Sequence, residues 1–343
     1  MAKCVFNNGR VIGDNERPYF IAEVNSSHNG SIVVAKEMID KIKEIGADAV
    51  KFQSWSSGSL YSKDYYKENP ISKRFFDKFS FDNSKFNEII DYCKNKSISF
   101  ASTPYSNEEV DFLVNVAKVP FIKIASMDIN NYLYLEYIAK TGSAIVLSTG
   151  MSTYNEVDKA IDILKSSGCK NLCVLHCVSL YPVDYRDINL KNILYLKEKY
   201  KDIPIGFSDH SIGYEVPSAA IALGAVLIEK HFTLDKSKIG MDNQMATEPE
   251  EFKKMIDACL NVYESLGTKD RVVLDAEKEQ LMKMRRSIVT KKKLSAGDII
   301  KLEDIDFKRP ADGISPDKYV DIIGKKLKID KDEDSILSYN DLM

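Results

Sequence analysis

One alternation constrains this chain more than anything else in it. Eight times over, a short run rich in Ile, Val and Phe is followed by a stretch whose apolar residues recur at helical spacing. The strand-like runs are PYFIAEV (18–24), DAVKFQ (48–53), SISFAS (97–102), PFIKIAS (120–126), AIVLST (144–149), NLCVLH (171–176), IPIGFS (203–208) and AVLIEKHF (225–232). Strands that alternate with amphipathic helices call for a parallel sheet, and eight such units call for a closed (β/α)8 TIM barrel in the α/β class. An open doubly wound sheet is the competitor. It is disfavoured because no strand is followed by the GxGxxG turn that such sheets use for dinucleotides.

The alternation stops at Gly267. Residues 1–267 are therefore read as the barrel, 268–286 as a charged linker helix, and 287–343 as a small β-rich domain. In that last stretch, short β-prone pieces alternate with the turn signals SAGD, ADGIS and KDED. A further break lies inside the barrel, where residues 54–83 separate the second strand from its helix and carry Trp55 among many aromatic and charged residues. A connection of that length reads as a loop serving as a lid or binding element.

Composition removes several function classes. A formal charge of -3 provides no positive field to attract nucleic acid or an anionic membrane. No apolar run is long enough to span a bilayer, and the opening MAKCVFNNGR lacks an apolar core followed by a cleavage site, so the expected location is the cytoplasm. The six cysteines follow neither zinc nor thioredoxin spacing and are expected to be reduced, buried thiols.

Barrel enzymes keep their chemistry where the strands end. The densest stretch runs from 205 to 242 and places His210 and His231 just past two neighbouring strands. Neutral imidazole is a common metal ligand, so the two can share one site; the bland alternative is two ordinary strand-end histidines. The remaining strand ends offer Glu23 with Asn25, His28 and Asn29; Lys51 and Gln53; Ser102 and Thr103; Lys123, Ser126 and Asp128; Ser148 and Thr149. The later ones add His176, Ser179 and Tyr181, then Ser208 and Asp209, then Lys230, with Asp242 beyond the eighth strand. Lys51 and Lys123 stand in otherwise apolar runs, VKF and IKI, where an unpaired ammonium costs several kcal/mol. They make sense if they meet a phosphate or carboxylate at the barrel mouth. A solvent-seeking lysine and a Schiff-base lysine are the alternatives.

The set of motifs resembles the sialic acid synthases, which include N-acetylneuraminate, legionaminate and pseudaminate synthases. The resemblance is carried by IAEVNSSHNG (21–30), GADAVKFQ (46–53), ASTPYS, KIAS, LSTGM, HCVSLYP (176–182), GFSDHS and EKHFTLDK, and by KRPADGISP (308–316), similar to the antifreeze-like (SAF) domain that follows the family's barrel. It implies a phosphoenolpyruvate-dependent, C–C bond-forming transferase of the EC 2.5.1 type. Phosphoenolpyruvate would condense with an open-chain N-acetylated amino sugar of the hexosamine type, releasing phosphate.

The same resemblance implies that His210 and His231 bind a divalent metal, Mn2+ first, with Mg2+ or Co2+ as alternatives. Glu23, Lys123 and Asp242 would be catalytic. Lys51, Gln53, Ser102, Thr103, Ser126, Asp128, Ser148, Ser179, Tyr181, Ser208 and Arg309 would bind substrate, with Arg309 reaching over a partner's barrel mouth in a domain-swapped homodimer. GMDNQMA departs from the GPDHKAS usual in sialic and legionaminic acid synthases, with Asn243 in place of histidine, and Ser179 stands where Asn or Thr is common. Both departures bear on which sugar is read. Rival readings are a phosphoenolpyruvate synthase making a seven- or eight-carbon sugar acid, and a noncatalytic sugar-binding or ice-binding protein.

Overall fold

The computed structural model describes residues 2–238 and 240–343, which divide into two compact units, 1–267 and 268–343. In the first, eight strands form one parallel sheet: β1 (Tyr19–Glu23), β2 (Ala49–Gln53), β3 (Ser99–Thr103), β4 (Ile122–Ile124), β5 (Ile145–Ser148), β6 (Leu172–Cys177), β7 (Ile205–Asp209) and β8 (Leu227–His231). Their order is β3-β2-β1-β8-β7-β6-β5-β4, so β1 pairs with β8 and the ring comes round to β3 and β4, which lie side by side. This is the nearly closed barrel that the alternation calls for.

Both faces of these strands are buried, which is why they read as continuous apolar runs. One face of each strand (Phe20, Val50, Phe100, Ile122, Leu147, Val174, Phe207, Ile228) joins the helices in the larger core. The other face fills the barrel from below with Tyr19, Ile21, Ala49, Ala101, Phe121, Val146, Leu175 and Leu227. An antiparallel hairpin, Lys3–Val5 with Val11–Gly13, adds Cys4, Phe6 and Ile12 to this inner cluster. Phe6 packs edge-on to Tyr19 at 5.3 Å and against Phe121 at 4.6 Å. Gly206 is required by this packing, since a Cβ there would lie 2.5 Å from the Leu175 side chain and 2.7 Å from the Leu227 carbonyl.

Residues 54–83 are not the irregular loop expected from the sequence. They hold three helices, Ser57–Leu60, Lys63–Glu68 and Pro70–Phe79, around a cluster of Trp55, Tyr66, Phe76 and Phe79. The first two helices are too short for a periodicity to stand out, while the third, Pro70–Phe79, is amphipathic and turns Phe76 and Phe79 into the aromatic cluster. All six cysteines are buried thiols, and no described helix is long and apolar enough to cross a membrane.

The second unit begins with a helix, Asp275–Met284, followed by the antiparallel pair β9 (Ser287–Thr290) and β10 (Ile305–Lys308). Isolated bridges such as Val289–Ile336 and Leu327–Leu342 tie in the rest around Ile288, Ile300, Ile322 and Leu337. Arg309 is exposed on this unit, just after β10.

Candidate functional site

Side chains alternate along a strand, so the residues that share a face with the inner cluster two positions earlier must form the next layer up. On β1, β2 and β8 these are Glu23, Lys51 and Glu229, and the ladder sets Glu23 beside Lys51 and Glu229 beside Ser208. Gln53, Thr103, Lys123, Ser148, Cys177, His210 and His231 continue the layer around the rim of a cavity of about 320 Å³. Ser126, Ser179, Tyr181, Tyr105, Asn25 and Asp242 reach the same cavity from the loops. All but two of the barrel residues expected at the site therefore converge on it.

One of the two exceptions, Ser102, follows from the same alternation. Ser102 lies on the Phe100 face of β3, where its hydroxyl meets that of Ser54 at 2.6 Å, so it does not line the cavity. Thr103 does. Asp128 sits on a short turn beside the mouth and is not among the lining residues; burial raises its pKa, with a hydrogen bond from Asn131 in opposition. Among the other strand-end residues, His176 faces the helix layer and bonds the Ile188 carbonyl at 2.7 Å. His28 stacks on Phe81 at 4.1 Å, and its Nδ1 accepts the Gly30 N–H. Asp209 and Lys230 pair with each other on the outer face. Asn243 is turned into its own loop, where its amide donates to the carbonyls of Asp235 and Lys238 at 2.6 and 2.8 Å.

Sequence reasoning passed over Glu229, and Glu229 links the two lysines. Its carboxylate lies 3.6 Å from Lys51 and 3.6 Å from Lys123, and it accepts the Ser208 hydroxyl at 3.1 Å. Lys51 also forms a close ion pair with Glu23 and donates to Thr103 at 3.0 Å, while Lys123 donates to Ser148 at 2.8 Å. All four charged groups are buried, and their formal charges cancel. Burial works against ionisation of Glu229, but Lys123 and Lys51 outweigh it and hold the carboxyl below its ordinary range. Burial lowers the pKa of Lys123; Glu229 opposes this and Lys51 reinforces it. Counting by twos from Ile21 and Leu227 would have found Glu229 and set Lys230 aside. Tyr105 and Cys177 were missed as well. Tyr105 donates to Gln53 at 2.7 Å and Trp55 to the same oxygen at 3.1 Å, so the inserted aromatic cluster fixes the Gln53 amide at the rim.

Above the charged layer the two imidazoles face each other with ring centroids 5.5 Å apart, and Tyr181 packs on His210 at 4.2 Å. Nδ1 of His210 lies 2.7 Å from the Val178 carbonyl and donates to it, so Nε2 carries the lone pair when the ring is neutral; burial opposes the charged form, but Cys177 and the Val178 carbonyl outweigh it and raise the pKa of this ring. Burial and the neighbouring positive groups, His210 first, push the His231 pKa well down, so this ring is neutral. Asp242 Oδ2 stands 3.9 Å from His231 Nδ1 and accepts from the Asn25 amide. Among the described residues no group of three His, Cys, Asp or Glu side chains converges as a metal cluster. The two imidazoles, with ring centroids 5.5 Å apart, are of a ligand type that transition metals accept.

Two family models match the chain. The NeuB family model matches residues 38–271 and the SAF domain model residues 285–343. An uncharacterised Methanocaldococcus jannaschii protein is 40% identical over 97% of both chains. The N,N'-diacetyllegionaminic acid synthase of Campylobacter jejuni is 34% identical over 94% of this chain and 99% of its own. Among solved structures, the N-acetylneuraminic acid synthetase of Leptospira borgpetersenii, in complex with citrate, is 33% identical, with a TM-score of 0.74 over 82% of this chain and 96% of that one.

Proposed function

This chain belongs to the NeuB family, and on that premise we propose that it condenses phosphoenolpyruvate with an open-chain N-acetylated amino sugar to make a nonulosonic, sialic-type acid. The observation that carries the reading is the buried Glu23–Lys51–Glu229–Lys123 quartet beneath two facing imidazoles. Lys51 and Lys123, with the hydroxyls of Thr103, Ser126, Ser148 and Ser208, hold the phosphate and carboxylate of phosphoenolpyruvate by charge-assisted hydrogen bonds. Gln53, Ser179 and Tyr181 face the sugar. His210 and His231 hold a divalent cation, Mn2+ or else Mg2+ or Co2+, which when bound supplies a Lewis acid to the sugar aldehyde.

The reaction needs groups for both signs of charge. C3 of phosphoenolpyruvate attacks the aldehyde carbon, the aldehyde oxygen takes up a proton, and C2 is left cationic. Glu23 and Asp242 stabilise that centre or orient the water that adds to it, and cleavage of the C2–O bond then releases phosphate. The mouth also carries exposed apolar residues, Met127, Met151 and Met241, with half-exposed Tyr181. Such a rim fits cover by a second copy, whose SAF domain would bring Arg309 to the sugar in a domain-swapped dimer.

The two named relatives differ in the sugar acid of their names, so the sugar is decided by assay. The purified protein is incubated with Mn2+, phosphoenolpyruvate and one of N-acetylmannosamine, diacetamido-trideoxyhexoses, arabinose 5-phosphate or erythrose 4-phosphate. Phosphate release and a nine-carbon acid by mass spectrometry are expected with an unphosphorylated N-acetylated sugar. Turnover with the sugar phosphates alone would overturn the reading.

A further inference from the structure

The outer face of the barrel strands is apolar almost throughout, yet the ends of β7 and β8 place a buried ion pair there. Asp209 and Lys230 are register partners, and each immediately precedes one of the facing histidines. The ammonium of Lys230 donates to Asp209 Oδ2 and, at 2.6 Å, to the Ser211 carbonyl. Oδ1 of Asp209 accepts both the backbone N–H and the hydroxyl of Ser211, at 2.9 and 2.7 Å. Asp209, Ser211 and Lys230 are all essentially inaccessible to solvent. One ammonium from the residue before His231 thus ties the Asp209 carboxylate to the Ser211 carbonyl, on the two sides of His210. The His210 ring is then locked by its bond to Val178.

Stability alone does not explain this arrangement. An apolar pair of similar volume is commonly as stable as a buried ion pair, or more so, because desolvation offsets the Coulombic gain. An apolar pair would not fix the backbone on either side of His210. Building on the reading of His210 and His231 as cation ligands, we propose that Asp209 and Lys230 are a positioning pair that sets the two imidazoles at the separation one divalent cation requires. They touch neither substrate nor cation. Their effect passes through the backbone of the Asp209–Ser211 turn and the shared register of β7 and β8.

The test measures Mn2+ binding to the full-length protein from the loss of the free-ion electron paramagnetic resonance signal, without any turnover. The variant is the double replacement Asp209→Asn with Lys230→Met, which removes both charges together and leaves no unpaired ion in the core. A Kd for Mn2+ raised roughly 10–100-fold, with a melting temperature close to that of the parent, is the expected result. A milder variant, Ser211→Ala, removes one bond to Asp209 and is expected to weaken Mn2+ binding severalfold even if the double variant does not fold. Unchanged Mn2+ affinity in a folded variant overturns the positioning role while leaving the cation reading intact. Failure of the parent protein to bind Mn2+, matched by a His231→Ala control, overturns the cation reading and the positioning role with it.

Discussion

Glu229 and Lys230 are neighbours in sequence, both are buried, and each faces an opposite charge, but their surroundings differ. Lys230, on the outer face, sits in closed hydrogen-bonded contact with Asp209 and Ser211. Glu229, on the inner face, stands 3.6 Å from each of two lysines, and its Oε2 has no hydrogen-bond partner among the described residues. A buried polar group left short of partners costs free energy, so a fold keeps one where a ligand will supply what is missing. The outer pair is complete and serves geometry. The inner quartet is incomplete and faces a cavity.

That contrast can be broken by experiment. Asp209→Ala strands the Lys230 ammonium in a sealed layer and is expected to cost about 3–5 kcal/mol, read by denaturant unfolding. Lys123→Met on the inner face should instead lower the rate of phosphate release by roughly 100- to 1,000-fold while leaving stability almost unchanged. A large loss of stability in the second case would show that the inner quartet is structural too.

A third imidazole sharpens the comparison through pH. His28 is sealed against Phe81, and burial pushes its pKa down to about 4, against a smaller opposing contribution from a hydrogen bond with the Asn25 backbone. It is neutral in the folded chain, whereas the unfolded chain takes up its proton near pH 6.5. Its contribution is therefore complete above pH 6.5 and is lost as pH falls from there toward 4, by about 3 kcal/mol in all. Unfolding free energies measured across that window should show the slope, and His28→Phe should flatten it. The smallest effect is expected from Arg309→Ala, a rise of roughly tenfold in the sugar KM, about 1.4 kcal/mol, with the phosphoenolpyruvate KM little changed. Equal changes in both would remove Arg309 from the sugar site.

Much of this was legible in the chain. Eight strands and their helices showed in the hydropathy, and strand-end position pointed to Lys51, Lys123, His210 and His231. Ser102, Glu229 and Lys230 were harder because a strand buried on both faces has no polar side to orient it, so hydropathy does not say which of two adjacent residues points inward. The three helices within 54–83 were hidden for another reason. The two shorter ones have too few residues for a periodicity, and they are stabilised by Trp55, Tyr66 and Phe76 meeting one another.

The order of apolar runs and the chemistry carried at their ends belong to the linear chain, because helix and strand periods and side-chain type are local properties. Which residues meet belongs to the tertiary structure. Curvature and register of the sheet put Glu229 between Lys51 and Lys123 and set His210 opposite His231. Those relations join residues far apart in sequence, and only the closing of the barrel brings them within hydrogen-bonding and ion-pairing distance.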